Sequence, residues 1–386
     1  MKVKSLHPVS SKRKVARNPL VVSIIVSLMV PAVVESRVLF EESFDDLPDY
    51  TSSEELDLEG WDHRRNGEVN WSPSNGYPDK HDAFEILESN ADKARGGTGK
   101  SFVAWRESYD PGWQRWNSDG ILAKKLDQGV SQLYVSFYIR FEENWTPGGQ
   151  SKFFRAYYWN GEGSPFQFFD DGNSGPIFLW DYNENNYGVR NVHAYRGGPP
   201  EGSYYQMTSE DIYDTPRGVN NLGSFSLNYT QDTVGMAADG GTPKIPDQVN
   251  GGYLSDNLNQ TVKHAQLFGR PENWTKVAFF LKMNSEPGAN DGELIQWIND
   301  EQVYVNRTIR WVKDNPDNRM VQWNMVAIGG NDNWQAYPNS QMREEWYSID
   351  DVYMATEIPD DVISGGSDDG AVSRPNPPSG VTADGG

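Results

Sequence analysis

WTKVAFFLKMNSEPGANDGELIQWINDEQVYV, from Trp274 to Val305, decides the fold, because it reads as three antiparallel strands joined by two turns. Between Trp274 and Met283 apolar residues recur at strand spacing, with Val277, Phe279 and Leu281 on one face and Ala278 and Phe280 on the other, the mark of a central strand. Asn284 to Gly292 gathers Asn, Pro, Gly and Asp, which supply turn hydrogen bonds and positive φ, so the chain reverses there. Glu293 to Trp297 resumes a strand, and Asn299-Asp300-Glu301 makes a second reversal into Val303, Tyr304 and Val305, a tight hairpin without the usual Gly.

The order of Trp, apolar strand, Asn, Pro-Gly turn, Asp-Gly, Trp-bearing strand and tight turn resembles the late strands of concanavalin A-like jelly rolls. It resembles especially those of secreted polysaccharide lyases acting on alginate or glucuronan. It implies an all-β chain: a concanavalin A-like jelly-roll β-sandwich of two curved antiparallel sheets, the concave one forming a sugar-binding groove.

Outward from this stretch, the chain begins with Lys2, Lys4, Lys12, Arg13, Lys14 and Arg17, followed by an uncharged, mostly apolar run from Leu20 to Val34 and then Glu35-Ser36-Arg37. This is the layout of a signal peptide over residues 1–36, and the run falls short of the roughly 20 residues a membrane span needs. The expectation is a secreted, extracellular protein with no membrane association after cleavage. Losing the leader leaves 28 basic against 54 acidic residues, a net charge of −26. Such a surface repels nucleic acid and membranes, and it repels polyanionic sugars too unless a local basic patch overrides it.

The chain has no cysteine, so neither a disulfide framework nor a thiolate site exists. Residues 37–360 suffice for one large β domain held by its core alone. With 14 Trp and 19 Tyr, aromatic rings exceed what packing needs, and some are expected to line a groove on which sugars stack. Strands are expected at Ala83–Glu88, Ser101–Trp105 and Gly120–Leu126. Residues 197–273 lack periodicity and read as a loop insertion at the groove rim, with a strand near Ser224–Tyr229 and a short helix around Asn257–Leu267. Residues 361–386 read as a flexible acidic linker that stops before a further domain. Oligomeric state has no signature in the sequence.

The first strand, Arg37 to Asp46, places Val38 and Phe40 inward, and its natural partner is the last, Glu345 to Met354. Several domains of the resembled type hold a structural Ca²⁺ where these ends meet, and the carboxylates of Asp45, Asp46, Asp350 and Asp351 suit that ion; the plainer role for these acids is to cap turns in water. Glu55-Leu56-Asp57-Leu58-Glu59 resembles the strand motif of laminarinase and agarase jelly-roll glycosidases, whose outer carboxylates act as nucleophile and acid/base. Here it falls close to the start of the domain, where solvated acids on an edge or loop are expected instead.

The chemistry is expected on two strands. In the returning strand Ser151 to Trp159, period two puts Lys152, Phe154, Ala156 and Tyr158 on one face and Phe153, Arg155, Tyr157 and Trp159 on the other, so either a Lys-Tyr or an Arg-Tyr-Trp face lines the groove. The resembled lyases carry a groove lysine after a Gly-Gly-x-Lys-like turn; Lys152 matches it with one residue too many. In Val189 to Arg196, Asn191, His193 and Tyr195 share one face and Arg190 and Arg196 the other. Elimination at a uronic acid requires neutralisation of the carboxylate, a base and an acid. Lys152, Arg155 or Arg190 can neutralise, and Tyr157, His193 or Tyr195 can move protons. The expected function is a polysaccharide lyase acting by β-elimination on a uronic-acid polysaccharide; the alternatives are a non-catalytic carbohydrate-binding domain and a glycosidase using Glu55 and Glu59.

Overall fold

The computed structural model describes residues 37–54, 58–66, 81–107, 117–145, 150–167, 174–185, 188–198, 205–206, 224–228, 245–254, 262–333 and 344–363. The leader expected over 1–36, Glu55 to Asp57, much of the 197–273 insertion and the linker from Ser364 lie outside them.

In chain order the described strands are β1 Val38–Glu42, β2 Tyr50–Thr51, β3 His63–Asn66, β4 Phe84–Ile86, β5 Phe102–Glu107, β6 Asn117–Val130, β7 Gln132–Phe141, β8 Gln150–Trp159, β9 Ser174–Asn185, β10 Gly188–Gly197, β11 Tyr205–Gln206, β12 Ser224–Asn228, β13 Thr275–Lys282, β14 Gly292–Ile298, β15 Glu301–Ile309, β16 Trp323–Asn333 and β17 Glu344–Ala355. Two antiparallel sheets result. The first runs β15-β14-β13-β7-β17-β5-β4-β2 with β1 on β17, and the second runs β11-β10-β9-β8-β16-β6-β3 with β12 on β10. This is the jelly-roll sandwich that the sequence implies. No helix among the described residues is long and apolar enough to cross a membrane.

The deciding stretch lies inside the first sheet, with β13 between β14 and β7. Val277, Phe279 and Leu281 enter the core between the sheets. Phe279 stacks on Phe154 of the opposite sheet, centroids 5.0 Å apart and planes within 2°, the type of contact that adds about 0.5–1.5 kcal/mol to area burial. Ala278 and Phe280 are buried on the other side with Tyr134, Ile295, Trp297, Val305 and Val362. Val362 belongs to a short helix, Asp360–Ile363, so packed chain continues past the boundary expected near residue 360.

Asn299 and Asp300 form the two-residue hairpin loop, with φ of 50° and 63°. Both values are those of a type I′ turn, which matches the right-handed twist of the flanking strands. Asn299 tolerates the left-handed region because its Oδ1 accepts the Lys276 N–H at 2.9 Å.

The first and last strands are neighbours: β1 pairs antiparallel with β17 from Val38 opposite Ala355 to Glu42 opposite Val352. Val38, expected inward, is 49% exposed because the pairing slips between it and Phe40. Among the strands that sequence reading passes over is β16, interior to the second sheet. Gly329, at φ 79°, and Gly330 have turn-forming character, yet they sit within a strand because the backbone is crowded. A Cβ at Gly329 would collide with the Gly120 carbonyl and the Phe102 ring, and one at Gly330 would lie 2.5 Å from the Lys152 carbonyl oxygen.

The hairpin gives a direct test. Asp300→Val is expected to be less stable than Asp300→Gly by about 1–2 kcal/mol, the cost of a branched residue at left-handed φ, in urea unfolding of the two variants, both of which lack the Lys276 ion pair. Equal midpoints would rule out the turn type.

Candidate active site

One inserted residue on β8 shapes the site. Lys152 pairs with Asp181 of β9, but Phe154 pairs with Trp180, the very next residue, so Phe153 is extra. Such a bulge shifts the side-chain phase of the strand. Phe153 and Phe154 both point into the core. Phe153 packs against Phe141, Trp180 and Tyr347 at 5.5, 5.3 and 5.0 Å, while Phe154 meets Phe137 at 5.7 Å as well as Phe279. Past the bulge, Ala156 continues inward and Tyr157 and Trp159 join an apolar cluster on the outer face with Ile121, Ala123, Phe166, Ile177, Met325 and Ala327. Of the two faces left as alternatives by period two, the one with Phe154, Ala156 and Tyr158 turns inward, and Lys152 alone leaves it to share the outer face with Arg155, Tyr157 and Trp159. Gly330 lies between the two cations, where a Cβ would sit 2.9 Å from both Lys152 Cβ and Arg155 Nη2.

Arg155 is only 2% exposed, and its Nη1 donates to the Gly329 carbonyl at 2.8 Å, so the guanidinium has a fixed place. Tyr157 is buried; desolvation pushes its phenol upward while the Arg155 charge pulls the other way, and it stays protonated at neutral pH. Trp159 closes the row, its N–H bonded to Asn324 Oδ1 and its indole to the Glu162 carbonyl, at 2.8 and 2.9 Å.

Three basic residues that sequence reading missed share this face. His63 and Arg65 of β3 stand opposite Ala123 and Ile121, both members of the outer cluster, and Lys125 of β6 stands opposite Met325. The His63 ring meets Trp159 edge-on at 5.2 Å, and Lys125 Nζ lies 5.4 Å from the same ring. The available signal was alternation in His63-Arg64-Arg65-Asn66, legible only once the face of the neighbouring strand is known. These residues form a local basic patch on an otherwise acidic chain. The buried carboxyl of Asp181, opposite Lys152, tempers it.

His193 and Tyr195 do share one face of β10, but it is the inner one, contrary to the groove-facing placement expected. His193 pairs with Trp180 and Tyr195 with Phe178, both core residues, so register alone turns them inward. Polar partners from the opposite sheet make the burial tolerable. His193 Nε2 lies 2.8 Å from Gln296 Oε1, and the Tyr195 hydroxyl lies 3.3 Å from His193 Nδ1 and donates to the Tyr304 hydroxyl at 3.2 Å. Burial holds His193 neutral, its pKa pressed down to about 4. Arg190 pairs through its backbone with Asn183 and Asn228; its side chain lies outside the described residues. Glu59 is exposed in a turn rather than on a strand, as solvated acid would be.

At the acidic end, Asp46 is exposed and Asp351 pairs with the Arg95 guanidinium. Asp350 is 2% exposed and accepts the N–H groups of Arg95 and Asp351, each at 2.8 Å. Desolvation, with the charges of Asp351 and Asp45 added, lifts its pKa to about 8. Asp45 Oδ1 accepts the Lys100 N–H at 2.9 Å.

No protein-family model and no curated protein sequence matches the chain. Among solved structures it is similar to a marine alginate lyase from Aplysia kurodai, at 12% identity over 83% of this chain and 100% of that one, TM-score 0.42. It is also similar to an endo-β-1,4-glucuronan lyase of the fungus Trichoderma reesei, at 13% identity over 77% and 96%, TM-score 0.40. A third is an alginate lyase solved, with one lysine and one tyrosine replaced by alanine, in complex with an alginate tetrasaccharide: 11% identity over 82% and 95%, TM-score 0.41.

The two shifted groups have opposite pH signatures. Between 6.5 and about 4 the unfolded chain binds a proton that folded His193 refuses, so its contribution is complete above 6.5 and is lost as pH falls. Between 3.8 and about 8 folded Asp350 keeps a proton that the unfolded chain releases, so its contribution is complete below 3.8 and is lost as pH rises. In urea titrations across pH 4–8, His193→Gln is expected to remove an upward slope and Asp350→Asn a downward one, each up to about 1.4 kcal/mol per pH unit. Parallel curves for parent and variant would contradict the corresponding shift.

Proposed function

We propose that the chain is a secreted polysaccharide lyase that cleaves a uronic-acid-containing polysaccharide by β-elimination on the outer face of β8. The observation that carries this reading is the bulge that brings Lys152 onto the face of Arg155 and Tyr157. In the reaction a base takes the C5 proton, the freed electron pair becomes the C4–C5 double bond, the C4–O bond breaks, and the leaving oxygen gains a proton. Neutralising the uronate carboxylate makes the C5 proton acidic enough to remove. Arg155, pinned by the Gly329 carbonyl, suits the carboxylate. Tyr157, kept protonated by burial, suits donation to the leaving oxygen, and Lys152 in its neutral form suits the C5 proton. Arg190, two residues along β10 from the Val192 whose backbone pairs with Asp181, is a further candidate cation for the sugar acid. Arg65 and Lys125 extend the positive face for a longer anionic chain, and His63, whose pKa burial and the Lys125 charge push down, adds a neutral ring beside Trp159.

Secretion rests on the leader pattern. Among the described residues no three His, Asp or Glu side chains gather as an ion site, so calcium at the acidic end would need Asp45 and Asp350 to move together and Asp351 to leave Arg95. If it binds, excess chelator lowers the melting temperature of the mature protein, since an ion held only by the folded state stabilises it; an unchanged melting curve removes calcium from the account.

The lyase reading is tested with mature parent, Lys152→Ala, Arg155→Lys and Tyr157→Phe on a panel of uronic-acid and neutral polysaccharides, following unsaturated ends by absorbance and reducing ends in parallel. The parent is expected to form unsaturated ends on a polyuronate. Each variant should lose about 10²-fold or more in turnover, and Lys152→Ala and Tyr157→Phe should keep sugar affinity. Parent activity in all three variants would remove the site, and a parent that binds a glycan without cleaving any would establish the carbohydrate-binding alternative.

A further inference from the structure

Behind Lys152, on the inner side of the sandwich, lies a charged pair that the lyase reading leaves unused. Arg106 of β5 and Glu345 of β17 are direct cross-strand partners in the first sheet, and both are sealed from solvent. Arg106 Nε and Nη2 donate to Glu345 Oε2 at 3.2 and 2.9 Å. The guanidinium lies 3.2 Å from the centre of the Trp145 ring. Its remaining arm crosses to the second sheet, where Nη1 donates to Ser151 Oγ at 2.8 Å.

A buried ion pair is a poor source of stability, because the cost of desolvating two charges offsets their attraction, and apolar residues of the same volume often do as well. An apolar pair would not hold the hydroxyl of Ser151 at one point. Ser151 is the residue before Lys152, and the residue after it, Phe153, is locked among Phe141, Trp180 and Tyr347. Lys152 thus stands between two inward anchors just ahead of the bulge. A strand carrying one extra residue has more than one place to put it, and a slip of one position ahead of the bulge would turn Lys152 into the core.

We propose that Arg106 and Glu345 are positioning residues that act through Ser151 to fix Lys152 on the reacting face, an inference that rests on the lyase reading for its catalytic consequence but not for its geometry. The pair sets the strand's register at the bulge from the opposite sheet, so Lys152 is aligned by a charge that never meets the substrate.

The test uses the mature chain with Ser151→Ala, Ser151→Thr and Arg106→Lys, the last keeping the charge toward Glu345 while losing the arm to Ser151. Two properties are read: the rate of reductive methylation of Lys152, located by peptide mass spectrometry with Lys263 and Lys313 as internal controls, and kcat and KM on the polyuronate that the parent cleaves. Ser151→Ala and Arg106→Lys are expected to change the Lys152 methylation rate about threefold or more and to lower kcat about tenfold with KM near the parent value, whereas Ser151→Thr, which keeps the hydroxyl, restores both. Unchanged Lys152 methylation in Ser151→Ala overturns the positioning role whatever the parent's activity. A shifted methylation rate in a protein whose parent cleaves no polysaccharide upholds the positioning and overturns the lyase reading instead.

Discussion

Two adjacent phenylalanines, Phe153 and Phe154, both demand the interior, and a regular strand admits only one of them. The bulge settles that conflict by giving each ring its own place: one with Phe141 and Tyr347, the other with Phe137 and Phe279. Everything on the far side of β8 inherits the result. The core's appetite for two large rings moves Lys152 into line with Arg155, and the glycines of β16 give up their side chains so that the backbone and guanidinium fit beside it. Packing and polar placement are here one event, since the apolar burial of the rings, at about 1.5–3 kcal/mol each, drives the displacement that the charged face exhibits.

The interior is less uniformly apolar than the ring contacts suggest. His193, Tyr195, Gln296 and Tyr304 form one chain of polar contacts between the sheets, and Arg106, Glu345 and Ser151 form another. Each group in a low-dielectric interior is costly unless partnered, so each chain admits few alternative alignments of the sheets. Aromatic burial supplies attraction without direction, and these two polar ties supply direction.

Fold was legible where independent signals coincided. In Trp274 to Val305 alternation, turn residues and length all point to one answer, and even the Gly-free hairpin keeps the left-handed pair that its position requires. The site was legible only in part, for three physical reasons. Alternation groups His193 with Tyr195 but says nothing of which side the core lies on; that is fixed by Trp180 and Phe178 across the strand. The faces of Lys152 and Arg155 depend on a bulge whose cause, competition for core volume, involves residues more than a hundred positions away. His63 and Arg65 sit on a four-residue edge strand, too short for its own pattern to register. β16 escaped notice because Gly329-Gly330 carries the composition of a turn while doing the work of a close backbone approach.

The pairing of β1 with β17 has a mechanical side. Arg37 and Thr356 meet at the outer ends of these two strands, joined by the Thr356 N–H to the Arg37 carbonyl at 3.0 Å and the Arg37 N–H to Thr356 Oγ1 at 3.1 Å. Tension applied through these two points acts across the strands rather than along them, so the ladder from Ala355 opposite Val38 toward Val352 opposite Glu42 opens one rung at a time, like a zip pulled from its end. The sandwich behind it would bear load only after the outermost strand had peeled away.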